Sequence, residues 1–328
     1  MLSEPQELAG HVQISSTTDG SDLISLPTEI YESILDELVE WPETLRACAL
    51  VSHLFAQLAQ KLLFSRICLK RPTQAFDLLL GKRLYSVRQP SKRFLNRFFR
   101  ILSSSPHLAG YVKSLIVVII DQYTSSDNAV QQILSLLANL EELGLAGDTR
   151  DSKLAFLDWG NDLRMGILEL CSSDRLVKIC LVHVSFPLSA LGLAPRLETL
   201  KLRHVLFISD SELDHDHRTY GSGFGFEFRW YIMRKEKHPP ARLKHVSVTS
   251  TNAEEWSACY PWLVSHLDLT HIKTLELDID FDDADEETAE EARQAILDLL
   301  SGCSATLETL RLFMPDLEEC RFTLRSFM

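Results

Sequence analysis

Residues 26–38 read LPTEIYESILDEL and residues 45–55 read LRACALVSHLF, and these two stretches determine how the front of the chain folds. Proline is favoured where a helix begins, since its φ is already fixed and its missing N–H would be unpaired there, so Pro27 and Pro42 each mark a helix start. Ser52 is a suitable cap for a third helix. Apolar residues recur at helical spacing in all three segments. The sequence therefore predicts a compact hook of three short amphipathic helices.

The order of residues in this hook resembles the F-box motif, L-P-x-E-I-x-x-x-I-L-x-x-L followed by L-x-x-C-x-L-V-S-x-x-F. F-box proteins dock the motif on a Skp-family adaptor and thereby bring substrates to cullin-based ubiquitin ligases. The resemblance, which is to fungal-type F-box proteins, implies that residues 23–69 form an F-box. The residues that match the adaptor-binding positions of the family are Leu26, Pro27, Ile30, Ile34, Leu35, Leu38, Leu45, Val51, Ser52 and Phe55.

Several positions depart from the family pattern. Tyr31 replaces a usual Leu, His53 stands where a basic residue is common, and Phe55 stands where Trp is frequent. Each residue keeps the apolar or polar character of its position, so the departures bear on adaptor affinity more than on the fold. The alternative is a hook that packs only against the rest of its own chain.

Composition limits the class of protein. At 328 residues the chain exceeds the usual length of one domain, so we expect one small and one large unit. Its net charge of -13 argues against a nucleic-acid or anionic-membrane partner, which would repel most of the surface. Seven cysteines without a C-x-x-C pair indicate buried thiols in a reducing compartment. We therefore expect a cytoplasmic or nuclear protein.

Neither the first residues nor the longest aliphatic run is expected to be a membrane-targeting segment. Residues 1–22 are polar and lack the apolar segment of a secretory signal, so we predict a disordered tail there. The longest aliphatic run, residues 115–120, is far too short to cross a bilayer and fits a buried strand.

A degenerate repeat of the form L-x-x-L-x-L occupies residues 106–328. Its second half alternates apolar and polar residues, as strands do, and helical stripes follow at 128–137 and 286–300. Repeated strand-helix units resemble the leucine-rich-repeat solenoid. The copies begin at Val112, Leu140, Leu176, Leu197, Leu243, Ile272 and Leu307.

The repeat is irregular. Copies from Leu140 onward begin 36, 21, 46, 29 and 35 residues apart, against a family period of about 20 to 29 residues, and no copy holds the Asn that normally follows. We predict a mixed fold, α+β or α/β, in which the hook precedes an irregular leucine-rich-repeat-like solenoid. The alternative is an α/β domain whose parallel sheet has an unrelated topology.

Residues 70–105 join the hook to the first repeat. Between residues 82 and 100 there are seven basic residues and no acidic one, and the apolar residues around Phe94 and Phe98 predict a basic amphipathic helix. This helix either caps the first repeat or binds an acidic partner or membrane surface. Ser103-Ser104-Ser105-Pro106 is predicted to end it and to start the first strand.

The longest interval, from Leu197 to Leu243, contains aromatic residues in strict alternation. Period-two aromatics suit a strand with one buried face, whereas insertions on one face of a solenoid often bind partners. Both interpretations stay open. The candidate substrate-binding residues are Phe226, Phe228, Arg229 and Trp230.

Catalytic, cofactor and metal signals are weak. The sequence DHDH at 214–217 places neighbouring ligands in different directions, and GSGFG at 221–225 lacks the spacing of a phosphate-binding loop. The acids from Asp278 onward fail the calcium-loop pattern, which needs Gly at position six. Cys180 and His183 lack a visible third partner, which favours core packing over a nucleophile. We predict no catalytic residue, no cofactor and no metal.

These observations predict the substrate-recognition subunit of a Skp-cullin-F-box ubiquitin ligase, with an unknown protein substrate. A protein-interaction scaffold outside a ligase and an enzyme built on the α/β part are the alternatives. A DNA-binding three-helix module would need a basic recognition helix, and the third helix has only His53 and Lys61.

Overall fold

The computed structural model describes residues 26–69, 92–119, 128–147, 156, 159–208, 240–282, 284–314 and 317–323. In these ranges the fold is mixed α/β. The helices are α1 (Thr28–Asp36), α2 (Pro42–Cys48), α3 (His53–Ser65), α4 (Lys92–Ser104), α5 (Pro106–Tyr111), α6 (Asn128–Leu136), α7 (Asn161–Cys171), α8 (Leu188–Leu191), α9 (Ala253–His266) and α10 (Glu286–Cys303). The strands are β1 (Arg66–Cys68), β2 (Ser114–Ile119), β3 (Glu142–Gly147), β4 (Lys178–Val182), β5 (Ser185–Pro187), β6 (Thr199–Arg203), β7 (Leu206–Ile208), β8 (Ala241–Arg242), β9 (His245–Asn252), β10 (Leu267–Asp268), β11 (Thr274–Asp280), β12 (Thr309–Met314) and β13 (Leu317–Thr323).

The first three helices begin where the sequence predicts. Pro27 directly precedes α1, and Pro42 is the first residue of α2. The Ser52 hydroxyl accepts a hydrogen bond of 3.2 Å from the Phe55 backbone N–H, which caps α3. Such a cap satisfies one of the N–H groups that a helix start leaves without a partner in the helix. The three helices share a small apolar core of their own around Leu35, Leu45 and Leu58.

A nine-stranded sheet forms the body of the protein. Its strand order, β1-β2-β3-β4-β6-β9-β11-β12-β13, follows the order of the chain. Every neighbouring pair is parallel except the last, in which β13 runs antiparallel to β12. The sheet is therefore mostly parallel, and the antiparallel strand at its end is a feature that the sequence analysis did not predict.

The L-x-x-L-x-L copies lie side by side in this sheet. The central apolar residue of one copy pairs with that of the next, so that Leu115 is opposite Leu143 and Leu275 is opposite Leu310. The first residue of every copy, from Val112 to Leu307, is buried. The periodicity therefore predicted seven neighbouring strands, and the structure adds that their copies pair in register.

Backbone hydrogen bonds connect the copies where each strand begins. The Lys113 carbonyl accepts from the N–H groups of Glu141 and Glu142 at 2.8 and 2.9 Å. The carbonyl groups that repeat this pattern along the sheet are those of Glu141, Val177, Glu198, Lys244 and Lys273. A regular backbone ladder therefore joins the units even though their spacing in the sequence is irregular.

The helices α4, α6, α7, α9 and α10 pack on one face of the sheet and share its main core. Helix α4 contributes Leu95, Phe98 and Leu102 to that core, whereas Arg97 and Arg100 are exposed. The basic helix thus packs its apolar face against the main core near the start of the sheet. The prediction that Pro106 starts the first strand is wrong, because Pro106 opens α5.

Candidate docking surface on the helical hook

Exposed apolar side chains are concentrated in the hook. Among the described residues, eight large hydrophobic side chains are exposed, and six of them lie between residues 26 and 51. Single exposed apolar residues are ordinary, but a concentration of them marks an interaction site. The six residues are Leu26, Ile30, Ile34, Trp41, Leu50 and Val51.

Helix α1 carries two apolar stripes. Tyr31, Leu35 and Leu38 face the core of the hook, where the Tyr31 ring meets the Phe55 ring edge to face at 5.3 Å. Ile30 and Ile34, one turn apart, lie on a different face and are about half exposed, at 45% and 51%. One stripe holds the hook together and the other is exposed to solvent.

The turn between α2 and α3 presents the two most exposed apolar side chains. Leu50 is 89% and Val51 72% exposed. Their backbone N–H groups donate to Ala47 and Cys48 carbonyls at 3.1 and 3.0 Å, and the next residue caps α3. The turn is therefore held by backbone bonds while its side chains point to solvent.

The structure separates the ten predicted adaptor-binding residues into three groups, which are buried, half-buried and exposed. Leu35 and Leu45 are 0% and 1% exposed, so both side chains pack inside the hook and their contact with an adaptor stays a prediction. Leu38 and Phe55 are half-buried. The exposed members are Leu26, Pro27, Ile30, Ile34, Val51 and Ser52.

Two exposed residues, Trp41 and Leu50, were not among the predicted contacts. Trp41 directly precedes the first residue of α2, and Leu50 follows the last turn of that helix. Neither position belongs to the buried stripe of a helix. An apolar residue just outside a helix boundary was the signal in the sequence that could have identified them.

Ion pairs on the hook connect α1 to α3 and stabilise α2. The Lys61 ammonium lies 2.9 Å from a Glu32 carboxylate oxygen. The hydrogen bond with Glu32 is the main reason why the pKa of Lys61 lies above its ordinary value, and the charge of Asp36 adds to it. Arg46 pairs with Glu43 on α2. These exposed pairs contribute little stability, about 0 to 1 kcal/mol each.

The predicted substrate-binding residues Phe226, Phe228, Arg229 and Trp230 lie outside the described residues, as do the histidines at 215 and 217 and the glycines at 221–225. Their assignment stays a prediction.

A cavity of about 320 Å³ lies beside the first turns of α9 and α10. Two of its polar side chains are helix caps, since Asn252 accepts from the Glu255 N–H and Asp285 from the Thr288 N–H, both at 2.7 Å. The bond from Thr288 lowers the pKa of Asp285 below its ordinary value, so this carboxylate is charged at neutral pH and unsuited to act as a general acid. Of the acids from Asp278 onward, Asp278 and Asp280 lie in β11, Asp282 follows that strand, and Asp285 caps α10.

Cys180 is inert in this structure. It is 1% exposed, and burial raises its pKa to about 12. Only the thiolate is a nucleophile, so the pairing of Cys180 with His183 suggested by their spacing is not an activated one. His183 instead stacks its ring on His204 at 4.5 Å.

We predict that the buried thiols resist alkylation. Burial raises the pKa of Cys171 to about 12 and that of Cys259 well above its ordinary value, whereas Cys48 is only half-buried. Treatment of the folded protein with iodoacetamide at pH 8, read by peptide mass spectrometry, should modify Cys48 well before Cys171, Cys180 or Cys259. All four should react in denaturant. Rapid labelling of Cys180 in the folded protein would contradict its burial.

Within the described ranges, no three His, Cys, Asp or Glu side chains meet in a way that could hold a metal ion. No helix in the part of the chain that the structure describes combines the length and apolarity needed to cross a membrane. Comparison of the sequence with family models and with curated proteins finds no match.

Proposed function

We propose that the chain is a substrate-recognition subunit of a Skp-cullin-F-box ubiquitin ligase, with the hook as its F-box. The observation that carries the proposal is the exposure of six large apolar side chains within residues 26–51, in a stretch whose residue order resembles the F-box motif. Docking on an adaptor would remove these side chains from water, and full burial of one Leu or Ile stabilises a complex by about 1.5 to 3 kcal/mol.

The body of the protein is proposed to be an irregular leucine-rich-repeat-like solenoid. Three features support this: the strands follow one another in chain order, the L-x-x-L-x-L copies are in register, and α6 packs on α7 and α9 on α10 along one face. In a solenoid each unit buries its apolar face against the next. An unrelated α/β sheet would not require neighbouring strands to follow the order of the chain.

The substrate would bind the solenoid. Around β9, β11 and β12, the last parallel strands of the sheet, the face opposite the helices is polar. The Ser247 hydroxyl donates to Glu276 at 2.9 Å, and Arg311 lies 3.5 Å from the same carboxylate group. Around β2, near the other edge of the sheet, the same face is apolar and buried at Ile116 and Val118. The polar half and the insertion after Ile208 are the parts that we propose for substrate contact.

Helix α3 connects the two parts. Its Leu58 belongs to the core of the hook, and its Phe64 packs against the main core. Strand β1 begins at the residue that follows the helix. A continuous helix fixed at both ends would hold the substrate at a constant position relative to the adaptor. The proposed contribution to ubiquitin transfer is therefore proximity, with the chemistry carried out by other subunits in the cytoplasm or nucleus.

Affinity purification tests the proposal. A tagged full-length chain expressed in cells should retain a Skp-family adaptor and a cullin. The matched variant carries Leu50→Asp and Val51→Asp; both side chains point to solvent, so it should fold and lose both partners. Recovery of the adaptor without a cullin would favour a scaffold outside a ligase. Recovery of neither would contradict the proposal.

A further inference from the structure

The docking surface is acidic as well as apolar. Residues 26–51 contain six acidic residues and one basic residue. Intramolecular pairs account for Glu32, which meets Lys61, and for Glu43, which meets Arg46. The exposed acids for which the described residues provide no ion pair or hydrogen-bonded cation are Glu29, Asp36, Glu37 and Glu40, and of these Asp36 lies close enough to Lys61 to raise the pKa of that ammonium.

Glu37 lies on the same face of the helix as two of the exposed apolar residues. Ile30, Ile34 and Glu37 are spaced by four and then three residues, which places them in one row along a helix. Glu37 itself has helical backbone angles, φ -65° and ψ -21°, so the row continues through it. A partner surface that covers Ile30 and Ile34 therefore covers Glu37 as well.

Covering a carboxylate without compensation opposes binding. A charge that is removed from water must gain an opposite charge or strong hydrogen bonds, or its desolvation offsets the gain from the apolar contacts beside it. A full opposite charge compensates a covered carboxylate more strongly than neutral hydrogen-bond donors do, so a lysine or arginine is the partner group that fits Glu37 best.

We propose that the partner surface that accepts Ile30 and Ile34 carries a lysine or arginine against Glu37, so that the hook recognises an apolar site with a cationic rim. This inference rests on the proposed function for the identity of the partner. The cation also selects against surfaces that are apolar but neutral, because these would leave Glu37 buried and unpaired.

The test uses the full-length chain and a purified Skp-family adaptor, with the affinity measured by titration calorimetry at 0.05 and 0.5 M NaCl. Glu37→Lys should weaken binding at least about tenfold and Glu37→Gln by less, because reversal adds repulsion to the lost attraction. Wild-type binding should weaken with salt, and Glu37→Gln should reduce that dependence. Asp36→Asn is the matched control: this acid lies about 100° around the same helix and close to Lys61, and its loss should change affinity little.

The outcomes separate the two proposals. If the wild-type chain binds the adaptor, yet Glu37→Lys and salt leave the affinity unchanged, the cationic rim is disproved while the docking function stands. If the wild-type chain does not bind any Skp-family adaptor, the proposed function fails and the inference fails with it. Equal losses in Glu37→Lys and Asp36→Asn would also overturn the inference, because they would show a general charge effect.

Discussion

The double substitution of Ile30→Ala and Ile34→Ala is expected to weaken binding of a Skp-family adaptor about a hundredfold and to leave the melting temperature unchanged. Both side chains are about half exposed and lie one turn apart on α1. Their truncation removes apolar surface that only a partner would bury. The free energy of binding should therefore weaken while the stability of the fold stays the same. Titration calorimetry and thermal denaturation of the same preparation measure the two quantities.

Leu35→Ala is the matched control on the same helix. Leu35 neighbours Ile34 in the sequence but is fully buried in the core of the hook, so its truncation should cost about 2 to 5 kcal/mol of stability. Hydrogen exchange should then increase across α1, α2 and α3. Adaptor binding retained at wild-type level by the Ile30 and Ile34 variant, with the chain folded, would exclude this face as the interface.

In the hook, the sequence predicts where helices begin but not which apolar residues are buried. Helix starts at Pro42 and Ser52 could be predicted because they depend on local backbone chemistry. The separation of Ile34 from Leu35 could not: an F-box-like run of apolar residues contains both the stripe that packs inside and the stripe that stays outside. The two residues point about 100° apart, and only the position of α3 determines which of them is buried.

In the sheet domain, too, some elements were predicted from the sequence and others were missed. The alternating apolar residues predicted the strands because each copy has to bury the same positions as its neighbour. Helix α9 was not predicted; it includes Pro261 in its interior, where a sequence pattern favours a helix end. The antiparallel β13 was also missed, because the pairing direction of an edge strand depends on the turn that precedes it. The aromatic insertion at 224–231 is outside the described residues, so its two interpretations stay open.

Gly147→Ala is expected to reduce the stability of the fold by about 1 to 3 kcal/mol or more. Gly147 ends β3 and is buried beside the residue that follows β4. A Cβ atom at Gly147 would lie 2.2 Å from the His183 carbonyl oxygen and 3.2 Å from its carbonyl carbon. Both are backbone atoms, and the His183 N–H is already bonded to the Arg203 carbonyl at 3.0 Å. The clash cannot be relieved by rotating a side chain, so β3 and β4 would have to move apart.

Gly302→Ala provides the matched control, because it adds the same methyl group where there is room for it. A Cβ atom at Gly302 would meet nothing within 4 Å, and the residue lies within the last turn of α10. Alanine is favoured over glycine in a helix by about 0.5 to 1 kcal/mol, chiefly because the unfolded chain then has less conformational freedom to lose. The melting temperature and the urea midpoint should therefore fall for Gly147→Ala and rise for Gly302→Ala. A melting temperature of Gly147→Ala equal to that of the wild type would show that β3 and β4 do not approach each other this closely at their ends.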